Sequence, residues 1–395
     1  MVKVCHMTSA HQSNDVRIFQ KECTSLANAG FDVYLVAQGE SYDRNGVHVV
    51  GIGEPSKSRI GRMIKSARAA YKQAVEINAQ IYHFHDPELL PYAVKLSKRG
   101  KHVIFDSHEN YALQIIEKKY IPRILRKTVS RLYKFYETYA VKQFDAAIIP
   151  CTFGGVNIFD NIAKKTVYLD NMPLLSELFD KYQEKNLFGC QSICHVGGLT
   201  YERGITHLIK AADKAGVGLI LAGKFMPPNY FDEVKEMQQF GCVDYKGYLD
   251  RNEVMKVYRE SVIGVCTILN VGQYNLGDNF ATKVYEYMSS GLPVIISDCP
   301  YARKAIKEFE FGICVQPDDV DAIADAISYL LDNPEVAREL GENGRRAVLE
   351  KYNWDFEERK LLTLYEELSG IKLVKQYSYC ESCENIELKG ADVTG

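Results

Sequence analysis

Two carboxylates eight positions apart, Asp278 and Glu286, sit in the run D-N-F-A-T-K-V-Y-E-Y-M-S-S-G-L-P-V-I-I-S-D, residues 278–298. The polar stretch Gly277-Asp278-Asn279 is turn-prone, and the residues after it have the spacing of an amphipathic helix. Gly291 stops that helix and Pro293 opens an apolar strand. Eight residues is a little over two helical turns, so a helix starting near Asn279 would set both carboxylates on one side. At a helix N-terminus the free backbone N–H groups and the dipole favour an anion such as a diphosphate. A carboxylate two turns further on can accept hydrogen bonds from a ligand's hydroxyls. A sugar nucleotide offers both a diphosphate and a ribose diol. A capped amphipathic helix with a solvated Glu has the same spacing, so both readings stay open.

Four other clusters fall where strands are expected to end. H-Q-S-N-D-V-R-I-F-Q-K-E, residues 11–22, follows the first strand, with His11 and Asp15 as polar candidates. Asp15 also suits a helix N-cap. H-F-H-D-P-E-L-L, residues 83–90, offers His83, His85 and Asp86. These are good ligand types for zinc, but no further ligand is identifiable. Asp86 before Pro87 equally suits an N-cap. F-D-S-H-E-N-Y, residues 105–111, sets His108 between Asp106 and Glu109. V-G-G-L-T-Y-E-R-G, residues 196–204, has Gly197 and Gly198 for close backbone approach and Arg203 for bidentate contact with phosphate oxygens.

Taken together these stretches resemble the retaining glycosyltransferases of the GT-B fold, family 4, of the bacterial polysaccharide and lipid-linked glycan type. Lys283, Glu286, Tyr287, Met288, Gly291, Pro293, Val294 and Ile295 match that family's K-x-x-E-Y-M-x-x-G-x-P-V-I run, and His11, Asp15, Arg17, Lys21 and Glu22 match its H-x-x-x-D-x-R-x-x-x-K-E. The family more often has Glu where Asp278 stands. The usual G-R-x-x-x-x-K-G is altered: Gly198 takes the Arg position and Arg203 the Lys position, with Lys283 as a substitute cation. The resemblance implies a hexosyltransferase that moves a sugar from a UDP- or GDP-sugar to a glycan or lipid-linked acceptor. His108 and Asp278 would face the sugar. Arg203, Gly197, Gly198, Tyr248, Asn279, Phe280, Ala281, Lys283 and Glu286 would hold the donor, and His11, Asp15, Asp86 and Glu109 would lie on the acceptor side. It implies no metal and no cofactor. A GT-B nucleotide-sugar 2-epimerase and a non-catalytic nucleotide-sugar-binding protein remain alternatives. A NAD-dependent dehydrogenase is disfavoured, because neither first strand leads into G-x-G-x-x-G.

The positioning elements follow from pattern and length. At 395 residues, two domains are expected. Strand–helix alternation throughout predicts two Rossmann-like, doubly wound α/β domains facing a cleft. They are placed at residues 1–172 and 173–351, with a C-terminal helix over 352–369 returning to the first domain and a peripheral tail over 370–395. Helices are expected near 117–143 and 152–161 in the first domain. Residues 1–175 carry 24 Lys and Arg against 16 acids. The stretch 117–136 interleaves basic residues with Ile, Leu, Phe and Tyr. A domain-covering helix or an interfacial helix on anionic lipid both fit. The eleven cysteines, several inside apolar strands, read as reduced core thiols of a cytoplasmic protein, with Cys380-x-x-Cys383 a lone pair in the tail. No apolar run approaches the roughly 20 residues of a spanning helix, so any membrane contact would be peripheral, at the inner face. No nucleic-acid module is recognisable.

Overall fold

The computed structural model describes residues 1–53, 58, 61–108, 110–118, 121–152, 155–175, 192–271 and 274–373. The first sheet has eight strands: β1 (Lys3–Gln12), β2 (Asp32–Gln38), β3 (Tyr42–Arg44), β4 (Val47–Gly51), β5 (Ile81–Phe84), β6 (His102–Asp106), β7 (Ala146–Ile149) and β8 (Thr166–Tyr168). Their order is β3-β4-β2-β1-β5-β6-β7-β8, parallel except for the β3–β4 pair. The second sheet comprises β9 (Ser192–Val196), β10 (Gly218–Ala222), β11 (Val243–Gly247), β12 (Ile263–Cys266), β13 (Val294–Ser297) and β14 (Gly312–Val315). It runs β11-β10-β9-β12-β13-β14, all parallel. Each sheet is thus wound outward in both directions from its first strand. Ligands in such sheets bind beyond the strand carboxyl ends, where the order reverses. In the first sheet that point lies between β1 and β5; in the second, between β9 and β12.

Helices cover both faces of each sheet, so the strands are continuously apolar; β7 and β13 are buried at every position. The helix Trp354–Ser369 packs back on the first domain, against the helical segment Val16–Cys23 and its continuation Thr24–Asn28. Trp354 is its anchor: 2% exposed, with Nε1 donating to Ser25 Oγ at 2.9 Å. Truncating a Trp buried this way costs about 3–5 kcal/mol.

Three expectations are corrected. Residues 158–162 are turns, not helix: the Asn157 N–H donates to Asp160 Oδ2 and the Phe159 N–H to Asn157 Oδ1, the local bonding that competes with helix. The basic segment is two helices, Tyr111–Glu117 and Arg123–Val141, since Pro122 can only begin the second. The donor-side helix starts at Thr282 rather than near Asn279. Strands β3 and β8 were not expected. Cys380 and Cys383 lie outside the described residues.

Candidate active site

The carboxyl edges of the two sheets enclose a cleft of about 430 Å³. His108 and Asn110 line it from the first domain, Arg203, Asn279, Phe280 and Ala281 from the second, and Asp170 and Asn171 from the segment joining them.

The second-domain wall is built around two glycines. Gly197, at the end of β9, has φ +116°, a conformation glycine tolerates, and a Cβ there would lie 3.1 Å from Lys283 Nζ and 3.6 Å from Arg203. A Cβ on Gly198 would also meet Arg203 at 3.6 Å. The missing side chains leave room for two cations against one stretch of backbone. Lys283 is 7% exposed, and burial, reinforced by Arg203, lowers its pKa to about 8. Its ammonium lies 2.7 Å from His195 Nε2. His195 Nδ1 is 3.0 Å from the Val265 carbonyl, so Nδ1 carries the proton and Nε2 accepts from Lys283. Burial holds His195 neutral. His195 was invisible as a site residue because it alternates within an apolar strand.

The two acids of the opening motif separate. Because the helix begins at Thr282, Asp278 precedes it and does not share a face with Glu286. The Asp278 carboxylate crosses to the first domain, accepting from Thr152 Oγ1 at 2.5 Å and the Gly155 N–H at 2.7 Å. In this conformation it latches the domains together instead of facing a sugar. Glu286 lies in the helix, paired with Arg251 at 2.6 Å and accepting from the Tyr258 hydroxyl at 2.5 Å. Tyr248 is 74% exposed and stands outside the cleft lining, with Lys224 over its ring. Phe280 presents the cleft with part of a buried aromatic cluster, packed on Tyr285 and Tyr301.

On the first-domain side, Asp86 does not cap a helix. It is 3% exposed and turns to the end of β1, accepting from Thr8 Oγ1 and the Ser9 N–H at 2.7 Å each, with His11 at 3.3 Å. Burial opposes its ionisation, but these donors hold its pKa far below the usual carboxylate range. Burial likewise opposes the charge on His11, and Asp86 outweighs it, raising the His11 pKa. Asp15 caps the helical segment after β1 through the Ile18 N–H at 3.0 Å. Glu109 lies outside the described residues. Arg17 is the buried hub: its guanidinium bonds Asp106 at 3.0–3.2 Å, lies 3.0 Å from Glu22 and donates to the Leu169 carbonyl. His108 Nε2 lies 3.3 Å from His85 Nδ1 and 3.5 Å from Asp106 Oδ2.

Sequence reading missed Asp170. Burial raises its pKa to about 6. The hydroxyls of Tyr168 and Tyr285 reach its Oδ2 at 3.1 and 3.2 Å, and the Asn171 N–H and Asn279 amide reach Oδ1. One carboxyl thus gathers β8, the interdomain segment and the donor-side helix. A lone Asp after a short unexpected strand left no pattern to find.

The metal reading of His83, His85 and Asp86 changes membership. Asp86 is elsewhere, while His6 and Glu22 join the two histidines, all four offering ligand atoms within 4.8 Å of one another. The His83 and His85 rings are stacked at 21°, and the Arg17 guanidinium already lies against Glu22.

With the geometry in place, comparison with known proteins is informative. Residues 17–154 match the family model "Glycosyltransferase Family 4" and residues 180–347 match "Glycosyl transferases group 1". An uncharacterized glycosyltransferase of Methanocaldococcus jannaschii is 26% identical over 181 residues, 44% of each chain. The MMP alpha-(1->4)-mannosyltransferase of Mycolicibacterium hassiacum is 31% identical over 93 residues, 23% of each chain. The match spans less than half the length of these curated relatives. Among solved structures, sucrose-phosphate synthase from Thermosynechococcus elongatus superposes with a TM-score of 0.74 at 17% identity, over 94% of this chain and all of that one. Anabaena HepE in complex with UDP and glucose gives 0.66 at 12%, over 94% and 100%. Two doubly wound parallel sheets meeting at a cleft, with both halves matched by these models, mean that the chain belongs to the family-4-type glycosyltransferases of the GT-B fold.

Proposed function

We propose that this chain is a retaining, metal-independent hexosyltransferase that moves a sugar from a UDP- or GDP-sugar to a glycan or lipid-linked acceptor in surface polysaccharide synthesis. The observation that carries the reading is the convergence of Arg203 and Lys283 on the Gly197–Gly198 backbone, across the cleft from His108. Arg203 lining the cleft, with Lys283 against the same backbone, suits a diphosphate that gains charge as it departs, where fixed charges are worth most. Glu286 would hold the ribose after exchanging Arg251 for the diol. His108 would contact the sugar. Asp278 could join it only after the Thr152 latch opens. Anabaena HepE, similar in fold, is a complex with UDP and glucose, which supports a nucleotide-sugar donor.

Peripheral membrane contact is part of the proposal. Among the described residues no helix is long and apolar enough to cross a membrane. The helix Arg123–Val141 buries Ser130, Glu137, Ala140 and Val141 and turns a second apolar face outward. Ile124 is 90% exposed, Phe135 78% and Leu132 65%, with Leu125, Tyr139 and Leu113 also exposed. Arg123, Lys127 and Arg131 border that face. An exposed apolar stripe edged with cations fits an anionic lipid surface. Its neighbour, Tyr111–Glu117, begins beside the cleft residue Asn110, which would bring a lipid-borne acceptor to the site.

The test is a thermal-shift screen of UDP-, GDP-, ADP- and CDP-sugars, since a ligand at 100 times its Kd adds about 2.7 kcal/mol. Product analysis with and without acceptor follows. Stabilisation by none of them would overturn the donor reading. Epimerised donor without acceptor would favour the 2-epimerase alternative, and binding without turnover the non-catalytic one.

A further inference from the structure

Behind His108 lies a chain of buried groups that donor binding does not require. His6 on β1 pairs in register with His83 on β5. His6, His83 and His85 are 0% exposed. Tyr365, from the C-terminal helix, closes the group from above: its hydroxyl is 3.0 Å from His83 Nδ1 and 3.1 Å from His6 Nε2. The other nitrogen of His6, Nδ1, is 3.1 Å from His85 Nε2. The other nitrogen of His85, Nδ1, is 3.3 Å from His108 Nε2. An unbroken line of contacts of 3.3 Å or less therefore runs from the cleft through His108, His85, His6 and Tyr365 to His83. It stops there, because His83 Nε2 is buried with no hydrogen-bond partner among the described residues.

We propose that this line is a proton relay that sets which hydrogen-bonding face His108 shows to the cleft. Burial keeps His6, His83 and His85 neutral, with His85 lowered to about 4. A neutral imidazole has one N–H and one lone pair. Each nitrogen–nitrogen contact must hold a single proton, so the orientation of one link dictates the next. Two arrangements satisfy every link. In the first, all four histidines carry the proton on Nε2, and Tyr365 donates to His83. In the second, all four carry it on Nδ1, and Tyr365 donates to His6.

The titratable neighbours choose between them. They are Asp106 from β6, and Arg17 and Glu22 from the helical segment after β1, with burial and then Asp106 raising the Glu22 pKa. Asp106 Oδ2 lies 3.5 Å from His108 Nε2 and 4.0 Å from His83 Nε2, but 3.5 Å from His85 Nδ1. The first arrangement turns two N–H groups toward this carboxylate; the second turns one N–H and aims two lone pairs at it. Arg17 keeps Asp106 ionised, against the pull of burial. Glu22 lies 3.8 Å from both His6 Nδ1 and His85 Nε2, a link that holds one proton in either arrangement, so it does not discriminate. At rest His108 therefore presents the Nδ1 lone pair, an acceptor for a hydroxyl.

A proton arriving at His108 Nδ1 can then pass inward without any side chain leaving its place. His108 Nε2–H moves to His85 Nδ1, His85 Nε2–H to His6 Nδ1, His6 Nε2–H to the Tyr365 oxygen, and the former Tyr365 proton to His83 Nδ1. One proton enters, His83 ends as an imidazolium that burial disfavours and Asp106, 4.0 Å from its Nε2, favours, and His108 has become a neutral Nδ1–H donor. The relay lets one residue accept from a hydroxyl and later donate to it, without holding a positive charge beside the phosphate cations. His85, His6, Tyr365 and His83 are positioning residues in this scheme. Only its part in turnover rests on the glycosyl-transfer reading.

The test reads histidine tautomers by nitrogen-15 NMR in the full chain without donor, so its outcome is independent of the proposed reaction. Wild-type His6, His83, His85 and His108 should all show the Nε2–H form. A mixture of tautomers among the four, in the wild type alone, overturns the relay. Tyr365→Phe removes the acceptor of the His6 Nε2–H while keeping the ring, so the remaining chain should reverse and the His108 signals should shift to Nδ1–H. His48 and His102, outside the chain, should not move. Unchanged His108 signals in folded Tyr365→Phe protein would equally overturn the proposal.

Discussion

Replacing Lys283 by methionine should stabilise the empty protein and weaken its hold on nucleotide. Burial moves the Lys283 pKa from 10.5 to about 8, which is about 3 kcal/mol disfavouring the charged form. Between those values the unfolded chain binds a proton that the folded chain does not, so stability rises with pH across that window, and the whole cost stands below pH 8. Methionine removes that cost at pH 7, against the loss of the bond to His195, worth about 1 kcal/mol. Urea unfolding should therefore show a net gain of roughly 1–2 kcal/mol. A diphosphate reverses the balance, because it stabilises the charged form. The variant loses a charge-assisted contact of about 1.5–3 kcal/mol, so UDP or GDP should bind about 10- to 100-fold more weakly. Wild-type affinity should fall about tenfold per pH unit above pH 8, as the free protein gives up the proton the complex needs. The methionine variant should lack that slope. Calorimetric titration at pH 7, 8 and 9 checks this. Equal affinity at pH 7, or the same pH slope in both proteins, would remove Lys283 from the diphosphate site.

Glu286→Ala should weaken nucleotide binding about tenfold or more while the fold persists, because its partner Arg251 is exposed enough to be resolvated; unchanged affinity in calorimetry would take Glu286 out of the ribose site. Turnover should survive EDTA, since Arg203 and Lys283 meet the phosphate charge; activity abolished by chelation and restored by Mg²⁺ or Mn²⁺ would contradict this and return attention to His6, Glu22, His83 and His85. Flotation on acidic liposomes should be lost in Arg123/Lys127/Arg131→Glu and should fall with salt, each basic residue contributing about 1 kcal/mol. Arg126 is left out because it donates to the Ile121 carbonyl. Equal flotation of variant and wild type would make the stripe a solvated face.

The double α/β architecture was legible because parallel strands covered on both faces must be apolar runs separated by amphipathic helices. The donor-side motif was legible because Gly291 and Pro293 bound a helix chemically. What it could not reveal was where that helix begins. Asn279 and Phe280 stay outside the helix because the Asn279 amide reaches Asp170 and the Phe280 N–H meets the Tyr285 hydroxyl. Asp170 comes from tertiary structure and Tyr285 from the helix itself; together they override local helix preference. Moving the start from Asn279 to Thr282 turned Asp278 from a partner of Glu286 into a latch on Thr152.

The same limit explains the histidines. His83-x-His85 predicts two side chains on one strand face, but nothing local says that His6 stands beside them, since that follows from β1–β5 register. Tyr365, 282 residues from His83 in the chain, arrives only when the last helix crosses back to the first domain. Chemistry written as a short motif was therefore readable where its partners are neighbours in sequence. Where sheet order and a returning helix assemble it, the residue types were visible but not their association. Cys266 follows this logic too: it reads as a core thiol in an apolar strand, and it is buried, yet because β12 ends at the switch point beside β9 its residue also lines the cleft. A position's role in this protein is set by which end of which strand it occupies, and strand order decides that.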